Sequence, residues 1–310
     1  MSTGSAPSSW IRSIPAILKQ TFNEFNQDRV LRMSAALAYY SIFSLAPLLV
    51  IAVAIAGTVL GDEAVRGQLD EHLKSSVGPR GALAVQEMVA NARQPGATAW
   101  ASIGSLLMLL VGAGGVFGQL KEALNTAWGV EEKPGLGIMG MIKDRFFSFT
   151  MVLGTGFLLL VSMLLTASLQ GLSKFTAGFV GVPPGVWAVI HSFVSLLVIA
   201  GMFAAIFKVL PDVEIRWRDV RVGALVTALL FVGGKFAMGW YLGREATASA
   251  YGSAGSLALV LLWVYYSSVI LLLGAEFTQV WATRHGAEII PDQNAKEVEP
   301  KAHARPADLG

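Results

Sequence analysis

Six long runs of apolar residues divide this chain, and polar or charged segments separate them. A helix needs ~20 apolar residues to cross a bilayer, and each run reaches that length. The pattern therefore predicts an all-α, polytopic integral membrane protein with six transmembrane helices. The predicted spans cover residues 34–60, 100–120, 146–169, 186–207, 222–242 and 253–282.

The segment ahead of the first run, residues 1–33, has a helical pattern of its own. Apolar residues recur at helical spacing between Trp10 and Leu31, with charged residues among them. The spacing predicts an amphipathic helix, for which two placements stay open. It could lie in the plane of the membrane interface, or it could pack beneath the helical bundle. We treat 1–33 as an N-terminal segment and 34–282 as the membrane domain.

Two polar segments outside the predicted spans have distinct patterns. Residues 61–99 contain two short amphipathic stretches separated by Gly78-Pro79, which predicts a helical hairpin. The last segment, 283–310, is polar and contains three prolines. Its composition predicts a flexible tail.

The distribution of Lys and Arg predicts the orientation. The segments 1–33, 121–145, 208–221 and 283–310 hold four basic residues each, 16 in total, whereas the three opposite loops hold six in total. Because basic residues concentrate on the cytoplasmic side, both termini should be cytoplasmic and the 61–99 hairpin external.

Composition narrows the classes of function. The chain is 54% hydrophobic and only 14% charged, too little charge for a soluble surface of this size. A formal charge of +2 does not favour nucleic acid as a partner. The sequence has no cysteine, its four histidines lack the spacing of metal ligands, and no catalytic constellation is recognisable. We therefore expect neither an enzyme nor a bound cofactor.

Four segments together resemble the YihY/BrkB family of bacterial inner-membrane proteins. They are SAALAYYSIFSLAPLLVIAVAIAG (34–57), LKEALNTAWGVEEKPG (120–135), FAAIFKVLPDVEIRWRDVRVGALVTALLF (203–231) and YGSAGSLALVLLWVYYSSVILLLGAEFTQVWA (251–282). The resemblance implies an all-helical protein of the bacterial inner membrane. It also implies an association with serum resistance or with transport, envelope lipids included. An older ribonuclease label for the family is regarded as mistaken, and the resemblance supplies no catalytic residues.

Glu276 is a carboxylate inside the last apolar run. A rotation of about 100° per residue places it on one helical face with Tyr265, Ser268 and Gln279. Such a group can bind a proton or cation, or line a polar pathway. Alternatively it anchors its helix to a basic residue near the inner surface. We favour the anchor because a carboxylate near the surface costs little to keep, and we expect its partner to be one of three basic residues: Arg29, Arg32 or Lys121.

Lys235 is the second charge within a predicted span. It shares a face with mostly small residues, which predicts that it points into the protein. It could attract an anionic group, or it could extend to water along its apolar stem. Its level should differ from that of Glu276 by roughly 10 Å, which argues against a salt bridge between them.

Two further groups of residues are candidates for contact with substrate or lipid. Tyr40, Ser44 and Pro47 give the first span hydroxyl groups and an expected kink, as in the interrupted helices that line transporter sites. Kinks also occur without such a role. Arg216, Trp217, Arg218 and Arg221 form a basic-aromatic patch. Anchoring and topology are its first explanation, and binding of anionic lipid head groups is the second.

Two functions remain in competition. A transporter or exporter for an amphipathic or anionic envelope lipid or metabolite fits the interrupted first span and the charges at two depths. The printed sequence has no Walker motif, so transport would be passive, ion-coupled or driven by a partner. The alternative is a non-transporting scaffold or envelope-assembly factor, for which a Gly114/Gly118 pair offers close packing. Membrane lipids are the expected partners, and a second copy or an envelope protein stays open.

Overall fold

A computed structural model describes residues 8–60, 62–92, 115–133, 184–242, 252–285, 288–293 and 295–298. The described part is mostly helical. The predicted span 146–169, most of the span 100–120 and Gly114 of the glycine pair lie outside these residues.

The chain begins with α1, Ser8–Gln27, and turns at residues 28–29 into α2, Val30–Leu60. Arg29 has a positive φ of 54°, and this left-handed residue forms the elbow between the two helices. The predicted amphipathic helix is thus present, but it ends four residues early and α2 begins four residues before the expected Ser34. α2 is helical through position 47, whose side chain is not among those described, so the expected proline kink there stays a prediction.

One face of α1 is buried and the other is apolar and exposed. Ile17 and Thr21 are almost fully buried where α1 packs on the last helix and on α2. Ile14, Leu18 and Phe22 are each about half exposed or more. The helix therefore packs against the bundle through one face and keeps an apolar stripe on the outside, and its placement in the membrane interface stays a prediction.

Helix α3, Asp62–Ala92, consists of two arms that meet at Gly78. Gly78 has φ 77° and ψ 170°, a conformation that a residue with a side chain rarely adopts. Gln86 donates a hydrogen bond to Asp70 across the bend, so the two arms contact each other. α3 packs on α2 and on the last two helices.

Three long apolar helices follow: α4, Pro184–Val209, α5, Trp217–Leu242, and α6, Gly252–Arg284. Pro184 begins α4 at the position where proline is best tolerated, and Lys208 and Arg284 lie in the last turns of α4 and α6. Within the described residues, these three helices are long and apolar enough to cross a membrane. Aromatic rings join them, because Phe231 of α5 contacts Phe203 of α4 and Trp263 of α6.

Reciprocal contacts between glycine and threonine join α5 and α6. A Cβ at Gly223 would lie 2.7 Å from the Cβ of Thr278, and one at Gly274 would lie 2.8 Å from the Cβ of Thr227. Both threonines are fully buried, and each hydroxyl donates to a carbonyl four residues earlier in its own helix, at 2.6–2.7 Å. The helices run antiparallel with every polar group of this contact satisfied.

Two short strands add to the mostly helical fold, and one of them lies in the tail that composition predicted to be flexible. β1, Val130–Glu132, pairs antiparallel with β2, Ala295–Glu297. Just before β2, the amide of Asp292 donates to the carbonyl of Asp212, at 2.8 Å. Composition alone predicted no partner for residues 288–298, but backbone hydrogen bonds to two distant segments hold the described part of the tail in place.

Candidate functional site

Glu276 lies in α6 within a 28-residue apolar stretch, Leu257–Arg284, and is fully buried. Both of its carboxylate oxygens lack a hydrogen-bond donor among the described residues. A buried carboxylate without a donor is costly, because burial removes water and nothing replaces it. The position therefore requires either a proton or a compensating group.

The nearest titratable neighbours of Glu276 are acidic. Asp28, at the elbow between α1 and α2, is close enough to share a hydrogen bond with Glu276 when one of the two carboxyl groups carries a proton. Glu24, one turn earlier in α1, acts electrostatically on both. Burial raises the pKa of Asp28 and the charge of Glu24 raises it further, while the hydrogen bond with Glu276 acts in the opposite direction.

None of the three expected basic partners accounts for Glu276. Arg29 and Arg32 are exposed. Lys121 instead pairs with Glu132 at 2.7 Å and with Asp212 at 3.0 Å. The expectation rested on which side of the membrane each charge should occupy. The elbow, however, places the carboxyl of Asp28 against α6 and leaves Arg29 exposed.

The site around Lys121 joins two of the segments that carried the family resemblance. Asn125 donates from its side-chain amide to the Asp212 carboxylate and accepts from the Asp212 backbone amide, both at 2.8 Å. Burial lowers the pKa of Lys121, but its bonds to Glu132 and Asp212 outweigh burial and leave the pKa raised. This network ties the 115–133 segment to the α4–α5 connection and is structural in character.

The polar face predicted along α6 is only partly polar in the fold. Ser268 is buried, and its hydroxyl donates to the Val264 carbonyl of the same helix at 2.8 Å. Tyr265 and Gln279 are half-buried, and the side-chain oxygen of Gln279 has no donor among the described residues. Glu276 and Gln279 are thus the members of this face with unused acceptors.

Lys235 is half-buried in α5 and lies far from Glu276 along the bundle axis. The neighbouring Gly234 packs under the hydroxyl end of Tyr266, which fixes the level of Lys235. Tyr266 and Glu276 are ten residues apart in α6, a rise of about 15 Å. The expected separation of the two charges in depth is therefore consistent with the helix register.

The hydroxyl-bearing residues of α2, Tyr40 and Ser44, lie at a different level of the bundle from Glu276. Tyr40 is 42% exposed, and its ring packs 3.4 Å from the position that a Cβ on Gly115 would take. Ser44 is almost fully buried. Tyr40 lies ten residues beyond the start of α2, about 15 Å along the helix from the elbow. The structure does not bring this group to Asp28, and the side chain of Pro47 is not described.

The basic-aromatic patch is exposed at the start of α5. Arg216, Arg218 and Arg221 are exposed, and Trp217 is 56% exposed. Arg216 also lines a cavity of about 380 Å³. The rest of the lining comes from the helix connection and the returning tail: Val213, Glu214, Ile215, Glu288, Ile289 and Ile290, together with Trp128, Lys208 and Ala282.

Sequence reasoning missed the acidic residues that face Glu276 and the tail residues that close this cavity. Glu24 and Asp28 are four residues apart in a segment of helical pattern, so the sequence did contain the signal of a shared acidic face. No comparable signal marked Glu288–Ile290. Among the described residues, no three His, Asp or Glu side chains are arranged to hold a metal ion.

The apolar helices with a buried carboxylate define an α-helical membrane protein. The chain belongs to the Virulence factor BrkB family, which it matches over residues 21–299. This confirms the resemblance seen in its motifs.

Three relatives illustrate the range of the family. The chain is 26% identical to the Putative ribonuclease-like protein YfkH of Bacillus subtilis (strain 168), over 90% of this chain and 98% of that protein. It is 26% identical to a UPF0761 membrane protein of Mannheimia succiniciproducens, over 83% of this chain and 86% of that one. A UPF0761 membrane protein of Psychrobacter sp. (strain PRwf-1) is 27% identical over 88% of this chain, which spans only 50% of its length. No solved structure matches the chain.

Proposed function

We propose that this protein is a transporter for anionic amphipathic molecules such as envelope lipids. The observation that carries the proposal is Glu276, a fully buried carboxylate without a described donor in a helix long enough to cross a membrane. Ionisable groups in such helices are costly and usually serve a substrate or ion pathway. A purely structural anchor would have favoured a basic partner, whereas Asp28 and Glu24 face Glu276.

The cavity beside Arg216 supports the substrate class. It combines the cationic side chain of Arg216 with apolar walls from Ile215, Ile289 and Ile290, and the acidic Glu214 and Glu288 complete its charged lining. The amine of Lys208, also in the lining, donates to the Ile215 carbonyl at 2.6 Å, so Arg216 is the better placed cation for an anionic head group. An amphipathic anion would place its charge at Arg216 and its apolar part along the isoleucines.

The proposal includes an orientation and a location. The protein would be a multi-pass protein of the bacterial inner membrane with both termini in the cytoplasm, as the basic residues favour. The cavity would then lie at the cytoplasmic surface, where anionic lipids attract basic segments. The α3 hairpin would be external. Neither enzymatic activity nor a nucleic-acid partner belongs to this proposal.

Transport is tested by lipid exchange in proteoliposomes. The full chain is reconstituted with fluorescently tagged phosphatidylglycerol, and tagged phosphatidylcholine serves as the zwitterionic comparison. We expect faster exchange of the anionic lipid than in empty vesicles, and near-background exchange after the double substitution Glu276→Gln and Lys235→Met. A folded double variant that exchanges lipid at the original rate would remove both residues from the pathway.

The role of Arg216 is tested by a matched pair of substitutions. Arg216→Gln should weaken binding of tagged phosphatidylglycerol about tenfold, the cost of one charge-assisted contact. Arg218→Gln removes the same charge two residues away, at a side chain that is 68% exposed and does not line the cavity. Equal effects of the two substitutions would show a diffuse surface charge rather than a site.

A scaffold or envelope-assembly factor is the second candidate, and one observation favours it. The contacts of Gly223 with Thr278 and of Gly274 with Thr227 leave no gap between α5 and α6 at that level. A pathway would therefore have to run along another face of α6. Absence of lipid exchange by the folded protein, with a stable second copy or envelope protein bound, would favour the scaffold.

A further inference from the structure

We propose that Asp28 and Glu276 bind a single proton between them, and that this shared proton holds the α1–α2 elbow against α6. The inference deepens the proposed function. Only the purpose of proton binding rests on transport. The site itself follows from burial and geometry.

The oxygens of Glu276 show why a proton is needed. Both lie buried without a donor among the described residues, and the carboxyl group of Asp28 is within hydrogen-bonding reach. Two ionised carboxylates in such a place repel each other and lose their hydration. With one proton, the O–H of the protonated carboxyl group donates to an oxygen of the other carboxylate, which is a strong charge-assisted bond. Two groups that interact so closely titrate as a pair.

Among the residues that the structure describes, no cation acts on the pair in place of the proton. The groups that act electrostatically on Glu276 are Asp28 and Glu24, both acidic. Arg29 directly precedes α2, Arg32 lies in its first turn, and both side chains are exposed. Thus each charged group shown to face the pair adds negative charge.

The described residues of α5 and α3 also supply nothing that would replace the proton. On α5, Gly223 and Thr227 pack at the level of Glu276, and the Thr227 hydroxyl is already bonded within its own helix. The charged group of α5 nearest to this level is Arg221, whose side chain is exposed, and Asp219 two residues earlier is buried and within 3.9 Å of Arg218. None of the described charged residues of α3, the remaining helix on α6, acts electrostatically on the pair: Glu63, Asp70, Glu71, Lys74 and Glu87.

A proton fits this site better than a metal ion. The described residues contain no arrangement of three acidic or histidine side chains that could hold a metal. Cations such as Na⁺ or Ca²⁺ need several oxygen ligands, whereas a proton needs two. Thr21 and Ser34 are buried and their hydroxyls have no described partner, but no contact places them on the pair.

Loss of the proton has a mechanical consequence. One O–H bond breaks, the proton passes to water, and the charge of the pair changes from one negative to two. Repulsion then acts between the elbow and α6. The exposed apolar stripe of α1, formed by Ile14, Leu18 and Phe22, would keep α1 at the membrane surface while its buried face leaves α6.

The proton is tested by infrared spectroscopy on the full chain in lipid nanodiscs. The wild-type protein should show a protonated carboxyl C=O band that disappears as pH rises. Both Glu276→Gln and Asp28→Asn should abolish this titrating band, and Glu122→Gln, at an exposed glutamate elsewhere, should leave it unchanged. A wild-type protein without the band, or a band that survives both single substitutions, would overturn the proposal.

The elbow movement is tested by distances between two spin labels. The chain has no cysteine, so cysteines introduced at the exposed positions Asn23 and Arg221 are unique. At high pH in the wild-type background, the mean distance between the labels should lengthen or the distance distribution should broaden. Glu276→Gln should abolish that change. A distance that is independent of pH in the wild-type background would reject the mechanical role.

These results separate the inference from the proposed function. A titrating band in a protein that exchanges no lipid supports the proton site and rejects transport. Lipid exchange without the band supports transport and rejects the proton site.

Discussion

Two faces of one helical turn of α6 are built in opposite ways. Gly274 and Thr278 face α5 in a contact whose hydroxyl groups are satisfied within their own helices. Glu276, midway between them in sequence, faces the elbow of α1 with oxygens that lack a described donor. The first contact contains no titratable group, whereas the second brings two carboxyl groups together. The difference shows how a membrane helix can stay fixed on one side and respond on the other.

The largest expected effect comes from filling the glycine contact. Gly223→Ala places a Cβ against the side chain of Thr278 and should cost about 3 kcal/mol in free energy of unfolding, the upper part of the range for overpacking. The same substitution at Gly233, on the same helix, meets nothing within 4 Å and should be neutral or slightly stabilising. Thermal unfolding in detergent measures both. Similar losses at the two glycines would remove the distinction of the α5 face.

Thr227→Val should lower the free energy of unfolding by about 1 kcal/mol at every pH, because the volume is kept and one hydrogen bond is lost. The valine still packs on Gly274. Unfolding measured across a pH series provides the check. A loss that changed with pH would mean that this face is coupled to the titrating pair.

Asp28→Asn should change the pH dependence of stability rather than its overall level. The folded-state pKa of Asp28 lies above its ordinary value of 3.8, so the folded protein holds this proton more tightly than the unfolded chain does. Stability should therefore fall as pH rises from that ordinary value through the raised folded value, and level off above it. The asparagine variant should lose this slope. A wild-type stability that instead rises through this window would contradict the assignment.

Gln20→Ala should have the smallest effect. Gln20 accepts a hydrogen bond from Arg284 at 2.7 Å, a second connection between α1 and α6, but the bond is exposed to solvent. Water can replace it, so we expect a loss of about 0.5 kcal/mol or less in free energy of unfolding. The expected stability is thus close to that of the parent chain, and a loss above that of Thr227→Val would show that α1 is held mainly at this end.

Local patterns predicted the elements well and their partners poorly. Apolar spacing gave α1, the long α4, α5 and α6, and the break at Gly78, because these depend on residues close in sequence. The face of Glu276 was also predictable. Its partner was not, because the left-handed Arg29 decides which side of the elbow meets α6, and no neighbouring pattern in the sequence requires that conformation.

The same reason explains the glycine–threonine contacts and the tail. Gly223–Thr227 and Gly274–Thr278 have identical spacing, but only the antiparallel register of α5 and α6 makes each glycine meet the threonine of the other helix. The prolines after residue 290 predicted flexibility. They gave no sign that residues 295–297 pair with residues 130–132, because that partner lies more than 160 residues away in sequence.

The pairing of β1 with β2 also sets an order of events during synthesis. Val130 pairs with Glu297, so the bond cannot form until α4, α5 and α6 have left the ribosome. A contact of such long sequence separation closes late. The small sheet can therefore exist only in a chain whose three final described helices have already been synthesised.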